Sequence, residues 1–207
     1  GLVVHPAVGS PNHTLVNGLL YHFKNLSQNN GKFRPGIVHR IDAYTTGLLM
    51  IAKNDRAHDF LAKQLSEKTV HRKYIALVWG VINNDTGTID APIGRDTNDR
   101  KKMAVISGGK DAITHFKVIK RYTKATLIEL KLETGRTHQI RVHMNYIGHP
   151  VVNDPVYGNY KLIDDSGQCL HAKELGFIHP TTKKYMEFTS ELPQCFVNIL
   201  KKFEEEI

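Results

Sequence analysis

The amino-acid sequence predicts an α+β fold with a mixed sheet, and three segments carry this prediction. Residues 73–82 read KYIALVWGVI, an apolar run typical of a strand that is buried on both faces. Residues 125–135 read ATLIELKLETG, in which Leu and Ile alternate with polar residues as in a half-buried strand. Residues 137–148 read THQIRVHMNYIG, which has a helical period and a terminal glycine. Because these elements follow no strict β-α-β order, a mixed sheet is favoured.

Further elements are predicted along the rest of the chain. A helix is expected after Thr14, an N-cap residue followed by apolar residues at helical spacing, Leu15, Leu19 and Phe23. Residues 47–52, GLLMIA, predict a buried strand. A second helix is expected to begin at Asn54 or Asp55, with an apolar face formed by Ala57, Phe60, Leu61 and Leu65. Residues 95–112 are polar and basic, which indicates a long loop of functional or mobile character.

Composition limits the classes of function. Hydrophobic residues make up 41% of the 207 residues, enough for one domain with its own core. No apolar run reaches membrane-spanning length, and Cys169 and Cys195 read as reduced thiols, so a cytoplasmic protein without a membrane partner is expected. The formal net charge of +8 and the sequence pI near 9.4 favour a polyanionic partner.

The segment HRIDAYTTGLLMIAK, residues 39–53, places one carboxylate beside a His-Arg pair. Asp42 stands at the loop side of the predicted strand, next to Arg40 and ahead of Gly47. Such a carboxylate could be a nucleophile, a general base, a metal ligand or half of a structural ion pair. The pattern by itself leaves these four roles open.

A second group of polar residues lies in TGRTHQIRVH, residues 134–143. If a helix begins near Thr137, His138 and Arg141 share a face, and Arg141 lies near the positive helix N-terminus. An arginine there could grip a carboxylate and lower its pKa, or it could be a surface residue of an amphipathic helix. Tyr74 could likewise be a core residue or a face on which a base stacks.

The chain contains 12 histidines, so metal binding has to be considered. His138 and His143 are five residues apart, which separates them by about 140° around a helix. The other histidines are scattered among different elements, and the two cysteines form no CxxC pair. No metal site is therefore expected.

Six motifs in series resemble the RluA/RluD family of RNA pseudouridine synthases over nearly the whole chain: HRIDAYTTGLLMIAK, RKYIALVWG, IDAPIGR, KDAITHFKV, ETGRTHQIRVHMNYIGHPVVNDPVYG and LHAKELGFIHP. The resemblance implies the catalytic fold of that family, a largely antiparallel central sheet flanked by helices and loops, with an active-site cleft. It also implies that residues 1–207 are one catalytic domain, without the small S4-type RNA-binding domain that many related proteins add.

The resemblance also implies roles for individual residues. Asp42 matches the catalytic aspartate, Tyr74 the tyrosine that stacks on the target base and acts in proton transfer, and Arg141 the arginine that pairs with the aspartate. Motif residues around them are expected to contact RNA: His39, Arg40, Thr45, Arg136, His138 and Gln139. A basic rim outside the pocket is expected to bind phosphates, with Lys32, Arg34, Arg100, Lys101, Lys102 and Lys110.

The reaction implied by the resemblance accounts for the opening motif. Uridine isomerisation breaks the bond from ribose to N1, turns the uracil and rejoins it through C5, without a redox or metal cofactor. The expected substrate is RNA, foremost 23S (large-subunit) rRNA or its pre-ribosomal particle. A non-catalytic RNA-binding or ribosome-assembly factor is the first alternative, favoured if Asp42, Tyr74 or Arg141 were missing. A metal-dependent nuclease or phosphoesterase that uses Asp42 with histidines is the second, and it requires clustered ligands.

Overall fold

The computed structural model describes residues 1–205, in which four helices and nine strands form. The helices are α1 Leu15–His22, α2 Asp55–Ser66, α3 Gln139–Tyr146 and α4 Gln194–Glu204. The strands are β1 Thr46–Gly47, β2 His71–Trp79, β3 Thr86–Asp90, β4 Ile93–Arg95, β5 Met103–Val105, β6 Ile113–Arg121, β7 Ala125–Leu132, β8 Leu170–Ile178 and β9 Tyr185–Thr189. None of these helices is long and apolar enough to cross a membrane.

The strands confirm the predicted α+β class and the mixed, largely antiparallel sheet. The strand order is β1-β8-β2-β7-β6-β3, and β9 pairs with β8. The pairs β2–β7, β7–β6, β6–β3 and β8–β9 are antiparallel, whereas β1 runs parallel to β8. The strands β4 and β5 form a separate two-stranded sheet.

The chain divides into two units. The first comprises Gly1–Tyr44, Leu48–His71 and Glu174–Ser190, and the second comprises Thr45–Gly47, Arg72–Lys173 and the residues from Glu191 onward. Asp42 therefore belongs to the first unit, and Tyr74 and Arg141 belong to the second. The interpretation of residues 1–207 as one catalytic domain stays a prediction.

Both helices of the first unit begin where the sequence predicts. Thr14 precedes α1, and its backbone N–H and its hydroxyl donate to Asn17 Oδ1 at 2.9 and 2.8 Å. Asn54 precedes α2, and its Oδ1 accepts a hydrogen bond from the Ala57 backbone N–H at 2.9 Å. Such polar residues satisfy main-chain groups that a helix leaves unpaired at its start, which makes helix starts readable from sequence.

The predicted strand at residues 47–52 is wrong in its pairing. Only Thr46–Gly47 joins the sheet. Farther along, the Met50 N–H donates to His39 Nε2 at 3.0 Å, and the Ala52 N–H donates to a loop carbonyl at 2.8 Å. A side chain and a loop therefore replace the neighbouring strand that the apolar pattern predicted.

Residues 48–52 lie between the two apolar clusters of the first unit. Leu49 and Ile51 pack against the cluster that includes residues of α1. The alternate residues Leu48, Met50 and Ala52 pack against the cluster that includes residues of α2. Both sides of this segment contact apolar side chains, so its sequence is apolar throughout, as in a buried strand.

The strands β2 and β7 form the centre of the second unit, and both predictions are confirmed. Seven residue pairs join them in unbroken register, from Lys73–Lys131 to Trp79–Ala125. Leu77, Ile128 and Leu130 on these strands are completely buried. Burial of β-branched and aliphatic side chains at the centre of a sheet is what the apolar run at 73–82 indicated.

Residues 95–112, predicted as a loop, contain part of a hairpin. The strands β4 and β5 pair in antiparallel fashion, and Asp96 Oδ1 accepts hydrogen bonds from two backbone N–H groups in the turn between them. Met103 and Val105 of β5 pack against the cluster that contains the buried Ile93. A strand of three residues is too short to display a period, so the sequence predicted only the loop.

The helix α3 confirms the prediction for residues 137–148 except at its start. It begins at Gln139, and His138 precedes it with a left-handed backbone, φ 56°. His138 is therefore outside the helix, which corrects the prediction that it shares a helical face with Arg141. Gly148 follows the helix with φ 87°, a conformation that glycine adopts without strain.

A chain of buried hydrogen bonds ties α3 to β6. Gln139 Nε2 donates to Thr114 Oγ1 at 3.0 Å, and the Thr114 hydroxyl lies 2.8 Å from His143 Nδ1. His143 Nε2 lies 2.9 Å from the carbonyl oxygen of Ala91, which can only accept, so Nε2 carries the proton. His143 is thus a neutral imidazole whose Nδ1 accepts from Thr114. Burial lowers its pKa below the ordinary value of 6.5.

The free energy of unfolding is expected to decrease as pH falls below about 6.5, partly because of His143. In that window the unfolded state binds a proton that the folded state rejects, so protonation favours unfolding. Urea unfolding at pH 8 and pH 5 measures the difference, which should be smaller in His143→Asn. The residual difference includes His5, whose pKa is also lowered by burial and by nearby arginines. Equal pH dependence in the two proteins would contradict the assignment.

Candidate active site

Asp42 lies half-buried in the first unit, in the segment that follows the loop at residues 27–37. Its neighbour Ile41 packs into the α1 cluster, which fixes the backbone next to the carboxylate. His39 accepts a hydrogen bond from the Met50 N–H through Nε2, so its imidazole supports the backbone at Met50. Two residues that precede Asp42 therefore hold the backbone that carries the carboxylate.

Arg40 is exposed beside Asp42, and its Nη1 lies 3.2 Å from Nε2 of the buried His5. Since a guanidinium only donates, His5 accepts through Nε2, and its Nδ1 donates to the Pro6 carbonyl at 3.1 Å. Burial, followed by the charges of Arg34 and Arg40, lowers the pKa of His5. A neutral His5 thus orients a positively charged side chain at the surface.

The Thr-Thr-Gly sequence that follows Asp42 is placed in the second unit by three contacts. The buried Thr45 Oγ1 accepts a hydrogen bond from Gln168 Nε2 at 3.1 Å, and Thr46 Oγ1 lies 2.8 Å from His171 Nδ1. At Gly47, with φ 105°, any Cβ would overlap the backbone of Ala172. These contacts favour a structural role for Thr45 over the predicted RNA contact.

Arg141 of α3 is held by a buried bidentate ion pair with Asp154. Its Nε donates to Oδ2 at 2.7 Å and its Nη2 to Oδ1 at 2.9 Å. The side chains of Arg141 and Asp154 are 4% and 0% exposed, so water does not screen the pair. The guanidinium carbon also lies 5.0 Å from the centroid of the Tyr157 ring, in the range of a cation–π contact.

Asp154 is itself fixed by the turn that carries it. Its Oδ1 also accepts hydrogen bonds from the backbone N–H groups of Val156 and Tyr157, at 2.8 and 3.1 Å. Asp154 is not among the residues predicted from the sequence, although an Asp before Pro155 in NDPVYG is a recognisable start for such a turn.

Tyr157 joins three parts of the second unit at one hydroxyl group. Its Oη accepts the Met103 N–H of β5 at 3.0 Å and lies 2.7 Å from His138 Nδ1. Its ring contacts Arg141 as well. Hence His138 and Arg141, which do not share a helical face, nevertheless both contact Tyr157, a residue to which the sequence analysis gave no role.

Gln139 and Arg136 differ in how many side-chain hydrogen-bonding groups remain available to RNA. Gln139 is 3% exposed, its Oε1 accepts from Thr134 and from the Arg136 N–H, and its Nε2 donates twice. Two donors and two acceptor sites are all that an amide has, so its structural role is favoured over an RNA contact. Arg136 is exposed, and its Nε donates to the Asp111 carbonyl at 2.8 Å.

Tyr74 lies on β2 opposite Leu130 of β7 and is 7% exposed. Arg72 lies two residues earlier on the same face of the strand and is 8% exposed. Of the predicted catalytic set, Asp42 lies in the first unit, and Tyr74 and Arg141 lie in the second. The pairing of Asp42 with Arg141 stays a prediction.

The predicted basic rim consists of two groups of mostly exposed side chains. In the first unit, Lys32 and Arg34 are exposed, and Lys32 Nζ lies 5.3 Å from the ring centroid of Phe33, itself 64% exposed. In the second unit, the turn of the β4–β5 hairpin and the residues after it carry Arg100, Lys101, Lys102 and Lys110. Lys102 Nζ lies 3.8 Å from an Asp99 oxygen. In residues 1–205 no group of three or more potential ligands is arranged to hold a metal ion.

Comparison with known proteins agrees with the motif analysis. A family model described as RNA pseudouridylate synthase matches residues 1–146. A Bacillus subtilis protein named as the RNA pseudouridine synthase YlyB is 57% identical over 205 residues, 99% of this chain and 68% of its own length.

The chain belongs to the RNA pseudouridylate synthase family.

Two further relatives refine this assignment. A Zymomonas mobilis protein named ribosomal large subunit pseudouridine synthase D is 49% identical over 94% of this chain and 64% of its own length. The solved structure of human RNA pseudouridylate synthase domain containing 1 matches with a TM-score of 0.73 and 26% identity, over 98% of this chain and 89% of that one. The RluA/RluD resemblance is thereby confirmed, and RNA pseudouridine synthases are isomerases. This synthase chain spans 64–68% of the length of the two bacterial relatives.

Proposed function

We propose that this pseudouridine synthase isomerises specific uridines of large-subunit (23S) ribosomal RNA, free or in a pre-ribosomal particle, in the cytoplasm. The observation that carries the proposal is its 46–49% identity to four bacterial proteins named ribosomal large subunit pseudouridine synthase D. The formal net charge of +8 supports a polyanionic substrate, because each neutralised phosphate releases counterions.

The proposal assigns the chemistry to three residues. Asp42 is the catalytic carboxylate, and Tyr74 offers an aromatic face to a uridine turned out of its stack. During the reaction the bond from C1′ to N1 breaks and a bond from C1′ to C5 forms. The C5 hydrogen leaves as a proton and N1 gains one, so the product is an isomer of the substrate.

Arg141 completes the proposed set as the partner of Asp42. A guanidinium has five N–H donors, and Asp154 accepts from one on Nε and one on Nη2. In this proposal the Asp42 carboxylate accepts hydrogen bonds from other N–H donors of the Arg141 guanidinium. A cation fixed by Asp154 and Tyr157 would hold Asp42 in position without reorganisation during the reaction.

The release of tritium from C5 tests the proposed activity. The purified chain is incubated with transcribed large-subunit rRNA that carries C5-tritiated uridine, with EDTA present. Release of tritium to water is expected, because rejoining through C5 must expel that hydrogen. A nuclease or a passive RNA-binding protein releases none. Absence of release from rRNA that the protein binds would instead favour the non-catalytic assembly factor.

A further inference from the structure

Arg72 is a buried arginine without a carboxylate. It lies on β2, is 8% exposed, and its Nε has no hydrogen-bond partner among residues 1–205. Burial lowers the pKa of Arg72, and within this described part of the chain the one titratable group that opposes this effect is the Tyr74 phenol. A phenol is uncharged near neutral pH, so it does not neutralise a guanidinium.

Two other arginines of the second unit have a carboxylate that neutralises their charge. Arg141 has the bidentate Asp154, and Arg121 donates to Asp85 at 2.7 Å as well as to two backbone carbonyls. Guanidinium groups remain charged in proteins, and burial of a charge without a partner is unfavourable. Arg72 therefore differs from these two arginines, because no carboxylate of the described residues neutralises its charge.

The surroundings of Arg72 indicate where such an anion would bind. Arg72 and Tyr74 alternate on one face of β2, so their Cα atoms are separated by about 7 Å. A Cβ added at Gly135 would lie only 2.8 Å from Arg72 Nη1, so the lack of a side chain at this position lets the end of the guanidinium lie close to the Gly135 backbone. The exposed Arg136 follows immediately and adds positive charge.

We propose that Arg72 binds a phosphodiester oxygen of the RNA strand, next to the nucleotide whose base stacks on Tyr74. This inference rests on the proposed function, since it requires RNA at Tyr74. The planar guanidinium fork matches a phosphate, and the low exposure of the site strengthens the interaction. Arg72 would thus fix the position of the flipped nucleotide by its backbone, while Tyr74 contacts the base.

The test uses Arg72→Met, which removes the charge and keeps an unbranched chain. Affinity for large-subunit rRNA fragments is expected to fall about 10- to 100-fold, the scale of a lost hydrogen bond to a charged group. The slope of log affinity against log salt should become shallower by about 0.7, one single-strand phosphate. Arg121→Met is the matched control, with slope unchanged. Equal affinity and equal slope for Arg72→Met and wild type would overturn the proposal.

Stability separates a binding role from a structural one. Without RNA, Arg72→Met should unfold at no lower urea concentration than wild type, because an uncompensated buried charge has been removed. If the variant does not fold, the wild-type chain is tested on synthetic RNA with single phosphates near the target uridine replaced by uncharged methylphosphonate. One replacement should weaken binding about 10-fold or more. If none does, Arg72 binds no phosphate.

Failure of the proposed phosphate site can be distinguished from failure of the proposed function. Tritium release by wild type together with an unchanged Arg72→Met salt slope would overturn the phosphate site alone. Absence of both RNA binding and tritium release would overturn the isomerase proposal and, with it, this inference.

Discussion

Asp42→Asn should abolish tritium release from C5-tritiated rRNA, with a rate loss on the order of 10⁴-fold, the scale of removing a catalytic group. The amide has nearly the same shape as the carboxylate but is uncharged, and it can act neither as a nucleophile nor as a base. RNA affinity should stay within about tenfold, because phosphate contacts dominate binding. Release and affinity are measured on the same preparation.

The control for this substitution is Asp165→Asn, an identical chemical change at an exposed position. It should leave both the rate and the affinity unchanged, which excludes a general effect of lowering the acidic charge. Near-normal turnover in Asp42→Asn would remove Asp42 from its assigned role. A large loss of affinity in that variant would instead place the carboxylate in RNA binding.

Asp154→Ala should lower the free energy of unfolding by about 3–5 kcal/mol, the usual effect of leaving one member of a buried ion pair alone. The side chain accepts two hydrogen bonds from Arg141 and two from backbone N–H groups, and it is completely buried. Arg141→Leu should destabilise the protein as well, and should also reduce activity. Urea unfolding followed by circular dichroism measures both variants.

Asp154→Asn separates the charge from the turn geometry. The amide oxygen can still accept from the Val156 and Tyr157 N–H groups, whereas the amide nitrogen would face the Nε donor of Arg141. We expect a smaller loss of stability than in Asp154→Ala, with a clear loss of tritium release because Arg141 is no longer held. Full activity in a folded Asp154→Asn would show that Arg141 does not depend on Asp154 for its position.

Local chemistry explains which elements the sequence predicted. Thr14 and Asn54 begin helices through short-range hydrogen bonds, and Gly148 ends one through its φ angle. Such signals need only neighbouring residues, as do the runs that became β2 and β7. The segment 47–52 failed because its partners, a loop and the His39 side chain, are specified by tertiary structure rather than by period.

The site shows the same division. Motifs predicted Asp42, Tyr74 and Arg141 as the catalytic set, but the contact that holds Arg141 comes from Asp154, thirteen positions away in a turn. A sequence motif also does not show whether a side chain is exposed. Gln139 stands inside the motif yet all its donors and acceptors are used within the protein, whereas Arg72, adjacent to a predicted strand start, carries an uncompensated charge.

Because residues 48–52 lie between two apolar clusters, this segment tolerates few insertions or deletions. Exchanges among Leu, Ile and Met there alter packing only locally, typically by less than 1.5 kcal/mol. Deletion of one residue would turn every following side chain of the segment toward the opposite cluster, whereas loss of a pair preserves the phase. Homologous sequences should therefore show substitutions at these positions but no single-residue gaps within residues 48–52.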